Sequence, residues 1–297
     1  MIDTILFSND SSYAGISFVA NYIENSITIL RQAVRSDFDK MINNKIYLSK
    51  QRQLALDTIK KSKRIIVFGI ISLNNINLSL YRDKEITVII SDTEFVRKSK
   101  KINTFLLNNK YIKVLIMPDL IQYMDKRIKH KPYYQHIPIP DDISIVKNEN
   151  VTISHSPGFK YKLDLKGSSF IEKELKNLHL VVIRNKEWKD CIELKAKSHI
   201  FVDQMIDKTK DGYRGGVGKS GLEAMLVKNL LITSSDKLIT EPFFENPPVI
   251  YSRPNTFKNA IMYYVNNLDV VDDISEKQYK WAKKHTSIEF VKNNILN

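Results

Sequence analysis

The sequence is poor in cysteine, glycine and proline. Its 297 residues include one cysteine, nine glycines and nine prolines. A single cysteine, Cys191, excludes a disulfide framework and a thiolate zinc cluster, and it is typical of a reducing compartment. The low glycine and proline counts exclude collagen-like chains and chains dominated by linkers.

Long apolar runs are also missing. No stretch approaches the roughly 18 consecutive apolar residues that a membrane span needs. Residues 1–15 lack the basic region and long apolar stretch of a signal peptide. With 43% hydrophobic residues, the chain is long and apolar enough for two domains with a core each. We expect a soluble, cytoplasmic protein without a transmembrane segment, and the sequence leaves its oligomeric state open.

Basic residues outnumber acidic ones. Lys and Arg total 46 against 33 Asp and Glu, a formal net charge of +13. Residues 1–150 hold 23 of the basic residues against 15 acidic ones, a net charge of +8. This excess favours polyanionic partners or anionic membranes. The lysine-, asparagine- and isoleucine-rich composition of an AT-rich genome explains the charge equally well.

Short apolar runs alternate with segments of helical period along almost the whole chain. In the first half we expect strands at residues 4–8, 28–30, 64–68, 85–90 and 112–117, and helices at 16–23, 50–61 and 98–107. The string HIPIPDD at residues 136–142 interrupts the alternation, because its two prolines fit neither a helix nor a central strand. Repeated β-α-β units predict a parallel sheet covered on both faces.

The alternation restarts after this interruption. We expect strands at 151–155, 179–183, 199–202, 230–233 and 249–251, helices at 168–175, 188–195, 221–227 and 256–266, and one or two amphipathic helices at 275–295. The sequence thus predicts an α/β protein with an N-terminal domain over 1–145 and a C-terminal domain over 146–274. Helices over 275–297 are expected to pack back toward the N-terminal domain. Ligands of open parallel sheets bind beyond the carboxyl ends of the strands, which predicts a site in a cleft between the domains.

A glycine-rich segment, DGYRGGVGKSGLEAM, occupies residues 211–225. Its glycines let the backbone approach a ligand closely, and a helix starting near Lys219 points its first amides at this loop. Such a helix start is suited to a phosphate or diphosphate, although a flexible loop without a ligand has the same composition. The GKS ending is not a P-loop, because the glycine that the motif needs five residues before Gly218 is Tyr213.

A second candidate segment, HSPGFKYKLDLKGS, follows an expected strand at residues 155–168. Lys160, Lys162 and Lys166 lie in it, just ahead of an expected helix. Lysines beside a helix start hold a diphosphate as point charges, but a solvated lysine-rich loop is an equally good interpretation. Glu223, in the first turn of the later helix, either complements the helix dipole or accepts hydrogen bonds from sugar hydroxyls.

Together these segments resemble the C-terminal half of retaining GT-B glycosyltransferases, the family-4-like group. A basic loop ending in Lys-Gly, a strand followed by Asp-Gln and a glycine turn into Glu-Ala-Met occur in the family's order over residues 151–235. The start, ILFSNDSSYAG, resembles the family's first strand and glycine loop. The resemblance implies two Rossmann-like domains, a nucleotide-sugar as donor substrate, no metal and no other cofactor. It also implies transfer with retention.

The resemblance implies roles for individual residues. Glu223 corresponds to the glutamate that binds the nucleotide ribose. Lys160 and Lys166 correspond to the basic pair that neutralises the diphosphate, with Lys162 as an alternative to Lys160, and Gly15 corresponds to the N-terminal loop near the donor phosphates. The other donor-binding candidates are His155, Arg214, Gly218, Lys219, Ser220, Gly221 and Leu222. The family's first glutamate is replaced by Gly215, and we hypothesise that Arg214 or Asp211 takes over its contact.

The chemistry of such a transfer favours cations over a nucleophile. Negative charge grows on the departing diphosphate, so lysines and amide dipoles stabilise the transition state. This chemistry fits the resemblance, which implies catalytic roles for Lys160, Lys166 and Gly15. No histidine spacing indicates a zinc site. The only Asp-x-Asp, at residues 37–39, does not follow an apolar strand, which disfavours a metal-dependent GT-A fold.

The acceptor is expected on the N-terminal domain. Residues 97–131 contain ten basic residues against two acidic ones, and Tyr133 and Tyr134 follow directly. Basic residues next to aromatic ones suit a phosphate backbone and an unstacked base, although a solvated basic face is the commoner origin of such a run. The acceptor-side candidates are Asp92, Arg97, Lys126, Arg127 and Lys129.

These residues favour a hydroxymethylated pyrimidine in phage DNA as the acceptor, which must be flipped out of a duplex to be reached. A phage-encoded protein of this kind is expected in the host cytoplasm. A cell-envelope polysaccharide or glycolipid is the alternative, since anionic membranes also attract basic domains. A third hypothesis is a protein that binds a nucleotide or nucleic acid without catalysis, because the acid at position 215 is missing.

Overall fold

A computed structural model describes most of the chain, in ten segments. They are residues 2–8, 19–31, 42–69, 77–91, 94–157, 159–160, 163–164, 166–206, 217–234 and 247–297. Contacts divide the chain into two compact units, one of Met1–Pro138 with Thr286–Asn297 and one of Ile139–His285. The division thus falls seven residues before the expected boundary at 145.

The first unit is built on a parallel sheet of seven strands in the order β3-β2-β1-β4-β5-β6-β7. The strands are β1 Thr4–Ser8, β2 Ser26–Leu30, β3 Lys45–Tyr47, β4 Arg64–Phe68, β5 Glu85–Ile90, β6 Lys113–Ile116 and β7 Lys131–Pro132. The order 3-2-1-4-5-6 is that of a Rossmann sheet. All five residues of β1 are buried, as expected for a parallel strand covered on both faces.

Helices and short 3₁₀ turns connect the strands of the first unit. Helix α1 spans Arg52–Lys61, helix α2 spans Glu94–Asn108, and the 3₁₀ turns span Leu78–Tyr81 and Pro118–Tyr123. A C-terminal helix over Ile288–Leu296 also belongs to this unit. Its Asn294 side chain donates a hydrogen bond to the Pro132 carbonyl at 3.0 Å, which fastens the end of the chain to β7.

The second unit has a parallel sheet of five strands in the order β11-β8-β12-β13-β14. The strands are β8 Ile153–His155, β11 Leu180–Val182, β12 Ile200–Val202, β13 Leu230–Thr233 and β14 Ile250–Tyr251, and β9 Phe159–Lys160 pairs with β10 Leu163–Asp164 in an antiparallel hairpin. The helices are α3 Ser168–Glu174, α4 Trp188–Ala196, α5 Lys219–Leu226, α6 Pro254–Val265 and α7 Leu268–His285. Apolar residues of β8, β12, β13 and α6 form the core.

Helix α7 is tied to the sheet by a buried amide. The Gln278 side chain accepts a hydrogen bond from the Leu231 amide at 2.7 Å and donates to the Leu231 and Pro248 carbonyls at 3.3 and 2.9 Å. The Gln278 amide thus bonds to both the amide and the carbonyl of Leu231, as the backbone of a neighbouring strand would. Since α7 runs unbroken from Leu268 to His285, the expected boundary at 274 falls inside one helix, and its residues belong to the second unit.

Among the described helices, none has both the length and the apolar composition needed to cross a membrane.

Candidate functional site

The candidate site lies in the second unit, where strands β8, β12 and β13 end. Polar residues follow these strands directly. Asp203 follows β12, and its amide donates to the Ile232 carbonyl of β13 at 3.0 Å. Because the carboxyl ends of parallel strands form the ligand-binding edge of an open sheet, these residues share one edge with the loops that contain Lys166 and Gly218.

Asp203 joins the two loops that the sequence singles out. Lys166 Nζ lies 2.6 Å from Asp203 Oδ1, and the Gly218 amide donates to Oδ2 at 3.3 Å. The Asp203 side chain is 2% exposed and that of Lys166 is 22% exposed. The lysine-rich segment and the start of α5 therefore come together on one buried carboxylate. Neither Asp203 nor its partnership with Lys166 was predicted, because Asp203 was noted only as part of the Asp-Gln sequence.

Gly167 sets the position of Lys166. Its φ is +69°, and a Cβ at this residue would lie 2.2 Å from the Met205 carbonyl oxygen. The Met205 amide in turn donates to the Lys166 carbonyl at 2.8 Å. Only glycine fits this left-handed, closely packed turn, so the chain at Lys166 is held against the loop after β12.

The start of α3 has an internal acceptor. The Ser168 and Ser169 amides donate to the Asp164 carboxylate at 2.7 and 2.8 Å. Burial raises the pKa of Asp164, but the hydrogen bonds from the Ser169 and Ser168 amides outweigh it and hold the pKa below its usual value. The first amides of α3 therefore already bind a carboxylate, and the predicted diphosphate contact of this segment depends on its lysines.

The start of α5 packs against Asp203, whose Oδ2 accepts a hydrogen bond from the Gly218 amide. Gly218 is the N-cap residue of α5 and supplies no side-chain cap. A Cβ at Gly221 would lie 3.2 Å from both Asp203 Oδ2 and Leu231 Cδ2, so glycine lets the helix pack closely on the sheet. The Leu222 amide donates to the Gly218 carbonyl at 3.0 Å, and its side chain is fully buried. Leu222 is thus a packing residue and not the predicted donor contact.

Glu223 lies one turn further along α5 and is buried. Its Oε2 accepts a hydrogen bond from Lys195 Nζ at 2.6 Å and its Oε1 accepts one from Trp188 Nε1 at 3.0 Å. Lys219 Nζ lies 3.7 Å from Oε1. Burial raises the pKa of Glu223, but the charges of Lys195 and Lys219 outweigh it and leave the pKa below its usual value. The carboxylate is therefore ionised.

Lys195 was missed by sequence reasoning. Its side chain is 1% exposed, and its Nζ also donates to Ser220 Oγ at 2.9 Å and lies 5.0 Å from the Phe201 ring centre. A lysine in an amphipathic segment normally marks the solvent face. The available signal is its spacing, because Trp188, Ile192 and Lys195 share one face of α4.

Lys219 is the more exposed of the two lysines beside Glu223. Its side chain is 32% exposed, and its Nζ lies 6.0 Å from the Trp188 ring centre. Burial lowers the pKa of Lys219, and the Glu223 charge offsets only part of that effect.

His155 is a structural residue. Its Nδ1 lies 2.7 Å from the Val202 carbonyl oxygen and its Nε2 lies 2.8 Å from Ser168 Oγ. The ring is fully buried, and burial lowers its pKa to about 4. A neutral ring donates from Nδ1 to the carbonyl and accepts from the serine hydroxyl at Nε2. Both nitrogens are thus used within the protein, and the predicted donor contact from His155 does not fit this geometry.

Several predicted residues lie outside the described part of the chain. They are Gly15, Asp92, Lys162, Asp211, Arg214 and Gly215. For Lys160 the backbone alone is described, and it pairs with Leu163 in the β9–β10 hairpin. Their roles stay predictions. In the described segments, no three His, Cys, Asp or Glu side chains are grouped as metal ligands.

The acceptor-side candidates lie in the first unit. Arg97, on α2, donates to Glu94 Oε2 at 3.2 Å, and Lys126, Arg127 and Lys129 are exposed. The Arg127 guanidinium donates to both oxygens of Asp125, at 2.9 and 2.7 Å. This hydrogen bonding, with the Arg127 charge, lowers the pKa of Asp125 to about 2.

Tyr133 and Tyr134 do not have the predicted role. Their side chains are 1% and 3% exposed, and burial raises the pKa of Tyr133. Both follow β7 directly and pack into the core of the first unit. They present no ring face on which a base can stack, so that part of the prediction is wrong.

Comparison with known proteins finds matches among solved structures but none among protein-family models or curated sequences. Among solved structures, Anabaena Alr3699/HepE in complex with UDP and glucose matches with a TM-score of 0.67 and 11% identity, over 99% of this chain and 98% of that one. An alpha-glucosyltransferase in complex with UDP-glucose and DNA containing an abasic site matches with a TM-score of 0.63 and 11% identity, over 98% and 97% of the two chains.

Sucrose-phosphate synthase (tll1590) from Thermosynechococcus elongatus matches with a TM-score of 0.60 and 10% identity, over 99% of this chain and 97% of that one. These neighbours are glycosyltransferases built from two Rossmann-like domains. This chain has the GT-B fold. The predicted fold is therefore confirmed. Within this GT-B chain, the Lys166–Asp203 pair and Glu223 all belong to the second unit.

Proposed function

We propose that this protein is a glycosyltransferase that moves a sugar from a nucleotide-sugar, with UDP-glucose as the first donor to test, to a hydroxyl acceptor. The observation that carries the proposal is the meeting of Lys166 and the Gly218 start of α5 on Asp203, one helical turn from Glu223. A cation, a helix start and an ionised carboxylate at one strand edge match the diphosphate and ribose of such a donor. HepE and the alpha-glucosyltransferase, whose structures contain UDP or UDP-glucose, have the same fold.

In the proposed mechanism, Lys166 and the first amides of α5 stabilise the charge that develops on the departing diphosphate. Glu223 holds the ribose hydroxyls. A carboxylate accepts about four hydrogen bonds, and Lys195 and Trp188 supply two of them, so acceptor positions remain for a ligand. We infer from the family resemblance that transfer proceeds with retention and without a metal.

Replacing Lys166 by methionine tests the diphosphate contact. We expect the affinity for UDP to fall about 30-fold, since a charge-assisted hydrogen bond to an anion contributes about 2 kcal/mol. The affinity for uridine, which has no phosphate, should stay the same. Isothermal titration calorimetry with UDP, and competition with uridine, measures both values.

Lys173→Met is the matched control, because it removes an exposed lysine from α3 in the same unit. It should bind UDP as the wild-type protein does. Equal UDP affinity in Lys166→Met and Lys173→Met would contradict the assignment of Lys166. A wild-type protein that binds neither UDP nor UDP-glucose, nor any other nucleotide-sugar, would contradict the proposed function itself.

We further propose that the acceptor is a hydroxymethylated pyrimidine in DNA. Support comes from the exposed lysines at 126 and 129 and from the basic surface of α2, where Arg97, Lys100 and Lys101 are exposed. The similarly folded alpha-glucosyltransferase is in complex with DNA. Since the two tyrosines are buried, the contacts that we propose are with phosphates.

Neutralising Lys126, Arg127 and Lys129 together, each as glutamine, is expected to weaken DNA binding about tenfold at low salt. The slope of log K against log salt concentration should become less steep by up to about three units, because up to three fewer counterions are released on binding. Hydrolysis of the donor without acceptor should not change. Fluorescence anisotropy with a hydroxymethylated duplex at several salt concentrations measures the effect.

The control removes the same charge from exposed lysines of the second unit, Lys173, Lys176 and Lys186. It should leave both DNA binding and sugar transfer near wild type. An unchanged DNA affinity in the first triple variant would contradict the proposed DNA surface. Transfer to a saccharide or lipid-linked acceptor, with none to DNA, would contradict the DNA acceptor and leave the glycosyltransferase proposal intact.

A further inference from the structure

Asp203 occupies an unusual position for an acidic residue beside a proposed diphosphate site. Its carboxylate is 2% exposed and lies beneath the first turn of α5. The Cβ of an alanine at Gly218 or Gly221 would lie 3.6 or 3.2 Å from its Oδ2. The carboxylate is therefore enclosed by the chain and too deep to bind a donor directly, so it acts through its neighbours.

Both partners of Asp203 belong to the proposed diphosphate site. Lys166 Nζ donates to Oδ1 at 2.6 Å and the Gly218 amide to Oδ2 at 3.3 Å. The Asp203 carboxylate thus occupies the place at the lysine and the helix start that the proposed function gives to a phosphate. A diphosphate that binds there must share Lys166 with Asp203 or displace it, and it meets a buried negative charge at short range.

Sugar transfer increases the negative charge on the diphosphate, which makes the competition between Asp203 and the diphosphate relevant to product release. When the bond between the anomeric carbon and the diphosphate oxygen breaks, its electron pair stays on the diphosphate. The acceptor oxygen bonds to the anomeric carbon and gives up its proton. The free nucleoside diphosphate carries more negative charge than the nucleotide-sugar did, so a purely cationic site would hold the product more tightly than the substrate.

We propose that Asp203 opposes this product binding by competing with the diphosphate for Lys166, so that the lysine returns to Asp203 as the product leaves. Asp203 is then a positioning residue, since it acts through Lys166 and the start of α5 and does not touch the reacting atoms. The inference rests on the proposed function and adds a device for product release, a step that limits turnover in many enzymes.

Asp203→Asn tests the inference with nearly unchanged side-chain volume. We expect UDP to bind about tenfold more tightly, because one buried like charge is removed and Lys166 loses its competing partner. The affinity for uridine should not change. Product inhibition by UDP should strengthen by the same factor as UDP binding. Calorimetry and initial rates with added UDP provide these values.

Glu172→Gln is the control, because it removes a partly exposed negative charge of α3 that pairs with Arg184 and not with Lys166. UDP should bind to it as to wild type. Unchanged or weaker UDP binding by Asp203→Asn, with uridine binding intact, would overturn the inference and would make Asp203 a residue that merely orients Lys166. If the wild-type protein bound neither UDP nor any other nucleotide or nucleotide-sugar, the proposed function itself would fail, and that result is distinct from a failure of this inference.

A crystal structure of the wild-type protein with UDP gives a second test that does not depend on the folding of a variant. We expect Lys166 Nζ to lie within about 3 Å of a phosphate oxygen and to have lost its short contact with Asp203 Oδ1. A lysine that keeps its 2.6 Å contact with Asp203 and makes none with phosphate would overturn the inference.

Discussion

Replacing Gly167 by alanine is expected to lower the free energy of unfolding by about 3 kcal/mol or more. The new Cβ would lie 2.2 Å from the Met205 carbonyl oxygen and 2.9 Å from Ile206 Cγ2. The first of these atoms belongs to the backbone, so the clash can be removed only if the loop after β12 moves. The residue must also keep a φ of +69°, which costs an alanine about 1 kcal/mol.

Gly218→Ala is the matched control for this substitution. Gly218 has a φ of −75°, and its added Cβ would lie 3.6 Å from the nearest atom, Asp203 Oδ2. This is an ordinary contact in an ordinary conformation, so we expect a change below about 1 kcal/mol. Both tryptophans, Trp188 and Trp281, lie in the second unit, and their fluorescence during urea unfolding therefore reports on it.

The fluorescence midpoint of Gly167→Ala should fall well below those of Gly218→Ala and the wild type. Because Lys166 precedes the altered turn, we also expect weaker UDP binding by any Gly167→Ala protein that remains folded. Equal midpoints for the two alanine variants would contradict the tight turn described at Gly167.

Much of the fold was predictable because buried parallel strands leave a simple mark in the sequence. The strands Thr4–Ser8, Arg64–Phe68, Glu85–Ile90 and Leu230–Thr233 have the predicted bounds, since each consists mainly of apolar residues over an ordinary strand length. Strand β3, Lys45–Tyr47, was not predicted. Its three residues contain one buried side chain, and so short a segment has no periodicity to detect.

The polar part of the site was less predictable because burial of a charge leaves no local signal. Glu223 was selected from the helix that follows the glycine-rich loop, but Lys195 lies 28 residues earlier in the chain. Only the fold brings α4 against α5 and makes them partners. The prediction for Tyr133 and Tyr134 was wrong for the converse reason, because their basic neighbourhood in the sequence suggested exposure but both residues are buried.

Replacing Lys195 by methionine is expected to lower the free energy of unfolding by about 3–5 kcal/mol, the usual effect of leaving one member of a buried ion pair alone. The variant would leave the Glu223 carboxylate, whose side chain is 6% exposed, without its 2.6 Å partner, and Ser220 Oγ without a donor. Burial would then raise the pKa of Glu223, which the Lys195 charge now helps to hold down. UDP binding should weaken with it, because a protonated or displaced Glu223 holds a ribose less well.

Lys189→Met is the matched control on the same helix. Lys189 is 49% exposed and pairs with the exposed Asp142, and a surface pair of this kind contributes at most about 1 kcal/mol. The urea midpoint of Lys189→Met should therefore stay close to that of the wild type. A Lys195→Met protein as stable as Lys189→Met would show that Lys195 is not buried against Glu223.

A double-mutant cycle separates the ion pair from the packing of the lysine stem. Glu223→Gln alone leaves the Lys195 ammonium buried with Ser220, and Lys195→Met alone leaves the carboxylate. In the double variant neither charge remains, so its destabilisation should fall short of the sum of the two single changes by about 2 kcal/mol. Simple additivity would mean that the two side chains act independently. In that case the charge of Lys195 would not be what keeps Glu223 ionised, and the proposed ribose contact would have to be explained without Lys195.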